Sequence, residues 1–271
     1  MGAALSLLAE ASAVDVPLPI APTNETTLRF TWTKEEVDAC IAAAKAGNLD
    51  VVAAAVEKHG PHIRDELWNA PLAWAAEEGH ADIVQFLLRR GADVDLKNEN
   101  GNTPLICSAW KGRTTVTRLL LEAGADPDAV NGNKNTALIW AAAKGHAQDA
   151  ALLLCYGADI AHTGKDRQSA LHRACEKEHT HVVTLLRNHG ADRLRKSRDD
   201  DGYTPEDLAS NPKGQAHVAM VAPLQPLSLF QRCFSYVLAH RTELGPSCGL
   251  VMSTVTSLKY LDDCARARTT I

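Results

Sequence analysis

Leu72, Leu105, Leu138 and Leu171 recur at a spacing of 33 residues, and Gly91, Gly124, Gly157 and Gly190 keep the same spacing. Each of these glycines is followed by an Ala-Asp pair, and three of the four units carry a second glycine midway, at Gly79, Gly112 and Gly145. Two independent markers on one period, with two short apolar segments per unit, describe a chain of stacked helical hairpins. No single hairpin of that kind can bury its own apolar face, so each must be covered by its neighbours.

The unit from Asn98 to Val130 shows why the spelling works. Asn102-Thr103-Pro104-Leu105 starts a first helix, with proline in the first turn, where a missing N–H breaks no helical bond. Gly112 ends it. A second helix presents Val116, Leu119, Leu120 and Ala123 at helical spacing, and Gly124 supplies a left-handed C-terminal residue. The chain then turns outward, from Asp126 onward.

These residues carry a family resemblance. Thr103-Pro104-Leu105, Ala170-Leu171-His172-Arg173-Ala174 and the Gly-Ala-Asp ends resemble ankyrin repeats, whose pattern is Thr-Pro-Leu-His, an Ala pair, Gly-His and Gly-Ala-Asp. The resemblance spans roughly two thirds of the chain and implies an all-α ankyrin-repeat solenoid: helix-turn-helix units with hairpin or loop tips, about six including degenerate ends. The expected organisation is a disordered leader at 1–30, an ankyrin domain at 31–221 and a C-terminal extension at 222–271. The units fall near 33–64, 65–97, 98–130, 131–163, 164–198 and 199–221. Some positions depart from the pattern. The glycine two positions before the Thr-Pro step survives at Gly101 and Gly202, but Trp68, Lys134 and Arg167 replace it, so those three tips are expected to be reshaped. Glu178 replaces the mid-unit glycine, and the first-helix histidine is present only at His172.

At the N-terminal end of the array, Thr33 and Glu36 form a capping box, and Trp32 and Val37 sit where a hydrophobic staple closes. Residues up to Gly60 read as two short helices joined at Gly47-Asn48, a terminal unit in which one face meets water. At the other end, Glu206-Asp207-Leu208-Ala209 makes the last first-helix polar, as a cap requires. Beyond residue 222 the period disappears. Leu227, Phe230, Phe234, Val237 and Leu238 would share one face of a helix, and the extension reads as an end cover, a weakly ordered tail or a partner-binding element.

The hydrophobic content of 45% with aromatics at 5% suits short Ala- and Leu-rich helices. The net charge of −5, with no concentrated Lys/Arg stripe, argues against a nucleic-acid partner. Seven scattered cysteines, some at core positions, read as reduced thiols and a cytoplasmic setting. There is no apolar run of membrane-spanning length. Met1-Gly2-Ala3-Ala4-Leu5-Ser6 fits an N-myristoylation pattern on Gly2, without the second signal that stable anchoring requires.

Three constellations invite a chemical reading. Gly245-Pro246-Ser247-Cys248-Gly249 matches a nucleophile elbow, which would make Ser247 the nucleophile of a small hydrolase. That motif needs a strand before it and a histidine after it, and the last histidine, His240, lies upstream. His172, Cys175, His179 and His181 could gather a metal, but the resemblance gives His172 and His179 hydrogen-bonding work between repeats. Gly164-Lys165 lacks the earlier glycine of a phosphate loop. No catalytic residue, cofactor or metal is therefore expected.

The resemblance places protein binding on a concave face made by the hairpin tips and the last turn of each first helix. On this chain the helix positions are Glu77 and Glu78, Trp110 and Lys111, Ala143 and Lys144, and Glu176 and Lys177. The tips contribute Glu66, Leu67 and Asn69; Glu99, Asn100 and Asn102; Gly132, Asn133 and Asn135; and Lys165, Asp166 and Gln168. Asn69, Asn102, Asn135 and Gln168 align as a ladder of amides. Trp110 is expected to face solvent, while Trp74 and Trp140, three positions earlier in their helices, read as buried packing between repeats. The sequence thus describes a non-catalytic adaptor, scaffold or regulatory subunit; the alternatives are the same scaffold tethered through Gly2, or the Ser247 hydrolase. Deleting one whole period, Asn98 to Val130, should leave a shorter, folded helical protein, whereas deleting half a period should unfold it; circular dichroism melts of the two deletions check this.

Overall fold

The computed structural model describes residues 33–61 and 70–209 and, further on, residues 216, 219 and 220. Eleven α-helices run through the described residues: α1 Lys34–Ala46, α2 Leu49–His59, α3 Pro71–Glu78, α4 Ala81–Arg89, α5 Pro104–Lys111, α6 Thr114–Glu122, α7 Ala137–Lys144, α8 Ala147–Cys155, α9 Ala170–Glu176, α10 Thr180–Asn188 and α11 Pro205–Leu208. A 3₁₀ turn, Ala191–Leu194, follows α10. The leader, the Trp32 half of the staple, the tip residues Glu66 to Asn69 and everything after residue 220 lie outside the described residues, including the apolar helix face at 227–238, Gly2 and Ser247.

Each helix packs on the one two places away in the chain. The odd-numbered helices form one row and the even-numbered helices α2 to α10 another. Leu72, Leu105, Leu138 and Leu171 of the first row are buried to within 1%, and Leu87, Leu120, Leu153 and Leu186 of the second are fully buried. Removing one such side chain from water is worth about 1.5–3 kcal/mol, and each position recurs in every complete unit.

Local chemistry starts and stops the helices where the spelling says. The Thr33 capping box is present, with Glu36 N–H donating to Oγ1 of Thr33 and the Thr33 N–H to the Glu36 carboxylate. Thr103 and Thr136 cap α5 and α7 through their hydroxyl oxygens. Ala70 stands in their place before α3 and supplies no side-chain cap. At the end of α5, Gly112 adopts φ 71°, and a Cβ there would lie 2.7 Å from the His146 ring. The same clash would meet Gly145, 2.8 Å from His179. The mid-unit glycine thus does two things: it turns left-handed and it admits the next unit's side chain.

That side chain is a periodic clamp. Nε2–H of His80, His146 and His179 donates to the carbonyl of Lys45, Trp110 and Ala143 respectively, at 2.9, 3.3 and 3.2 Å. Arg113 replaces histidine in the remaining unit, and its Nε–H reaches the Glu77 carbonyl at 3.1 Å. Each clamp ties a second helix's N-terminus to the end of the preceding first helix.

The tips also stack. Gly132 N–H donates to the Asn100 carbonyl, Lys165 N–H to that of Asn133 and Asp200 N–H to that of Asp166, at 3.0, 2.9 and 3.2 Å. Among the described residues the tips hold no strand beyond an isolated bridge between Thr163 and Ser169. Two of the tips expected to be reshaped keep the geometry of the glycine-bearing tip instead. Lys134 and Arg167 stand at φ 58° and 56°, the left-handed conformation that Gly101 adopts at φ 75°. Glu178 does the same at the mid-unit position, with φ 56°. The stacked neighbours hold the turn, and the side chains that replaced glycine carry the strain.

One substitution breaks the apolar period without breaking the core. Where Ile83, Val116 and Val182 stand in other units, α8 carries Asp149, buried to 1%. Its carboxylate accepts from Thr117 Oγ1 at 2.6 Å and from Thr114 Oγ1 at 2.9 Å, and it lies in the first turn of α8, where a helix N-terminus favours negative charge.

A left-handed conformation costs a side chain bearing Cβ about 1–2 kcal/mol, part of which glycine returns through its freer unfolded chain. Lys134→Gly, Arg167→Gly and Glu178→Gly should therefore each stabilise the protein by about 0.5–1 kcal/mol, whereas Arg118→Gly, at an exposed position inside α6, should destabilise it by about 1 kcal/mol. Thermal melts of the four single variants check the sign.

Candidate functional site

The last turns of α3, α5, α7 and α9 line up beside the tips. Residues i and i+3 of a helix share a face, so Trp74 lies with Glu77, Cys107 with Trp110, Trp140 with Ala143, and Arg173 with Glu176. Trp110 is 36% exposed, and its ring meets that of Trp140 edge-on, with centroids 6.4 Å apart. Two ammonium groups stand near it, with Lys111 Nζ 4.5 Å and Lys144 Nζ 5.7 Å from the ring centre. Lys45 Nζ stands 3.6 Å from the ring centre of Trp74.

Trp74 and Trp140 pack against the core as expected but are only partly buried, which corrects the expectation that they are interior. Both open onto the same face as Trp110. The signal was available in the spacing: three residues is nearly one helical turn, so a residue three positions before a surface position borders the same groove. Trp74, Glu77, Asn98, Glu99, Asn100, Asn102, Cys107 and Trp110 enclose a cleft of about 260 Å³. A neighbouring hollow of about 130 Å³ lies between Asn102, Ile106, Cys107, Trp110 and Trp140. The Trp140 Nε1–H is buried and has no hydrogen-bond partner. Cys107 is 5% exposed, and burial pushes its thiol up to about 12, so it stays protonated.

The tip residues divide into two kinds. Glu99, Asn100, Asn133 and Lys165 are exposed. The amides expected to form an exposed ladder point inward and serve the stack. Asn102 Oδ1 accepts from Asn131 Nδ2 at 2.9 Å, Gln168 Nε2 donates to Asp199 at 3.0 Å, and Asn135 is buried to 8%. Asn69 lies outside the described residues.

At the α9 end, charges are matched within the chain. Arg173 bonds Asp166, and also Glu176 at 3.3 Å, while Lys177 pairs with Glu176 at 2.9 Å. The Lys177 hydrogen bond, with help from Arg173, holds the Glu176 carboxyl below the usual carboxylate range. Lys111 pairs with Glu77 at 3.2 Å, and Glu78 with Arg113 at 3.9 Å. Nothing in the sequence sets Arg173 apart as a face residue, because its place in the unit is that of Trp74 and Trp140, where the period predicts packing.

Two of the histidines weighed as metal ligands, His172 and His179, do structural work. His172 Nδ1 lies 2.8 Å from the Ser169 hydroxyl and 3.2 Å from its N–H, so that nitrogen is the acceptor; Nε2–H then donates to the Ser197 carbonyl at 3.2 Å. Both nitrogens are committed, tying α9 to the connection that follows the 3₁₀ turn. No helix among the described residues is long and apolar enough to cross a membrane.

A family model for ankyrin repeats matches the chain in three overlapping copies, at residues 28–98, 90–164 and 138–222. The chain belongs to the ankyrin-repeat family, whose members are generally protein–protein interaction modules without catalysis of their own. No curated protein matches it closely enough to count as a relative.

Burial, the largest influence on His172, lowers its pKa below the usual histidine value and outweighs the opposing pull of the Ser197 carbonyl and the Asp199 carboxylate. The unfolded chain therefore takes up a proton near pH 6.5 that the folded chain refuses, so this contribution to stability is lost as pH falls below about 6.5. His189 shifts in the same direction. Melting temperature should drop between pH 7.5 and pH 5, and the drop should be smaller in His172→Gln.

Proposed function

We propose that this protein is a non-catalytic adaptor, scaffold or regulatory subunit of the cytoplasm, binding a protein partner on the face formed by its first helices and tips. Trp110 carries the reading. It is a large indole, partly in water, fixed by the edge of Trp140 and by two flanking lysines, at the middle of the described array. Indoles held in this way are favoured interface anchors, because they bury much area while losing little freedom. Glu77, Glu78, Lys111 and Lys144 on the helices, with Glu99, Asn100, Asn133 and Lys165 on the tips, surround it as the rim. Asn102, Asn135, Asp166, Gln168, Glu176 and Lys177 are tied to neighbours or buried, and contribute by holding the face in shape. The tethered and hydrolase alternatives rest on Gly2 and Ser247, both outside the described residues, and gain no structural argument.

Trp110→Ala should melt close to the wild type, because the ring is the exposed member of its pair. The same change should weaken a partner recovered by proximity labelling in the native cell by at least about 2 kcal/mol, or roughly 30-fold. Full retention of that partner by a normally melting Trp110→Ala protein would move the binding surface elsewhere.

A further inference from the structure

We infer that the cleft between α3, α5 and the Asn98–Asn102 tip takes up the basic side chain, arginine or lysine, of the protein partner. This rests on the first-helix face being the binding surface, and it adds the partner's chemistry. Among the described residues, two carboxylates, Glu77 and Glu99, and two indoles, Trp74 and Trp110, line the cleft, and no lysine or arginine does. An indole face attracts a cation through its quadrupole, and the attraction grows as water is excluded. The Glu77 and Glu99 carboxylates and the Asn100 amide oxygen supply acceptors for N–H donors, and a guanidinium offers five of those in a planar fork.

The chain's own lysines show that these faces accept cations. Lys111 Nζ stands 4.5 Å from the ring centre of Trp110 and 3.2 Å from the Glu77 carboxylate, and Lys45 Nζ is 3.6 Å from that of Trp74. The Lys111 side chain retains 36% exposure, so it can swing into water and yield both Trp110 and Glu77 to an incoming group. The resident ammonium is therefore a stand-in that the partner's basic side chain displaces. Binding through this cleft exchanges one cation for another and leaves no buried carboxylate unpaired, which removes the chief penalty of desolvating Glu77.

The test uses the full chain with 15N-labelled tryptophan, and follows the indole N–H signals during titration with four end-blocked pentapeptides. Their sequences are Gly-Ser-X-Ser-Gly, with arginine, lysine, glutamine or glutamate at the centre. The arginine and lysine peptides should shift the Trp74 and Trp110 signals saturably, with the glutamine and glutamate peptides inactive. A Glu77→Gln/Glu99→Gln protein should bind the arginine peptide at least about fivefold more weakly, the size expected for one cation–π or carboxylate contact. Lys111→Met removes the competing cation and should strengthen the same peptide, which a mere loss of folding could not do. Equal binding of the glutamine peptide, weaker binding by Lys111→Met, or no saturable shift up to about 5 mM peptide, a concentration that reaches contacts of about 3 kcal/mol, would overturn the inference. Should the native partner still depend on Trp110 while the basic peptides fail, the first-helix face stands and only the chemistry assigned to its cleft falls.

Discussion

Every described unit of this protein has more apolar surface than it can hide alone, and the structure follows from that deficit. Leu105 and Leu120 belong to one helical pair, yet they reach zero exposure because the pairs before and after close over them. Burial is therefore a property of neighbours, and the array extends by repeating one interface. Asp149 shows how strict the requirement is. At a position made for an aliphatic side chain the carboxylate is tolerated because Thr114 and Thr117 on the adjacent helix satisfy it, so the exception is written in two units at once.

Stacking needs a fixed spacing, and two sets of hydrogen bonds set it. On the helices, His80, Arg113, His146 and His179 reach back one unit to a backbone carbonyl. At the tips, one backbone N–H per unit bonds the preceding tip. Together these hold Lys134, Arg167 and Glu178 in a conformation that side chains avoid when free. Local preference yields because the neighbouring unit contributes more than the turn costs.

The first-helix face inherits its order from this spacing. Trp74, Trp110 and Trp140 come from three different units, yet they border two adjoining clefts because the helices carrying them are clamped side by side. Charge is distributed unevenly along it. Around α9, arginine and lysine neutralise Glu176 and Asp166 within the chain, while at the α3–α5 end Lys111 pairs with Glu77 and Glu99 stays exposed beside the indoles. On the proposed reading, a partner meets a face neutralised around α9 and, between α3 and α5, a resident cation that its own basic side chain can displace.

The sequence by itself determined the repeating architecture, the helix starts at Thr33 and Thr103, the leucines of the core and the exposure of Trp110. All of these depend on contacts within a unit or on its repetition, and a 33-residue period displays both. Only the tertiary structure decided that Lys134 and Arg167 keep a glycine's turn, that the tip amides face inward, and that Trp74 and Trp140 open onto the same groove as Trp110. Each of those outcomes depends on what a different unit places opposite: a stacked backbone, a facing amide, an indole edge. A helical period specifies which side of its own helix a residue occupies, but the distance and the partner across the gap are set by the packing of separate units.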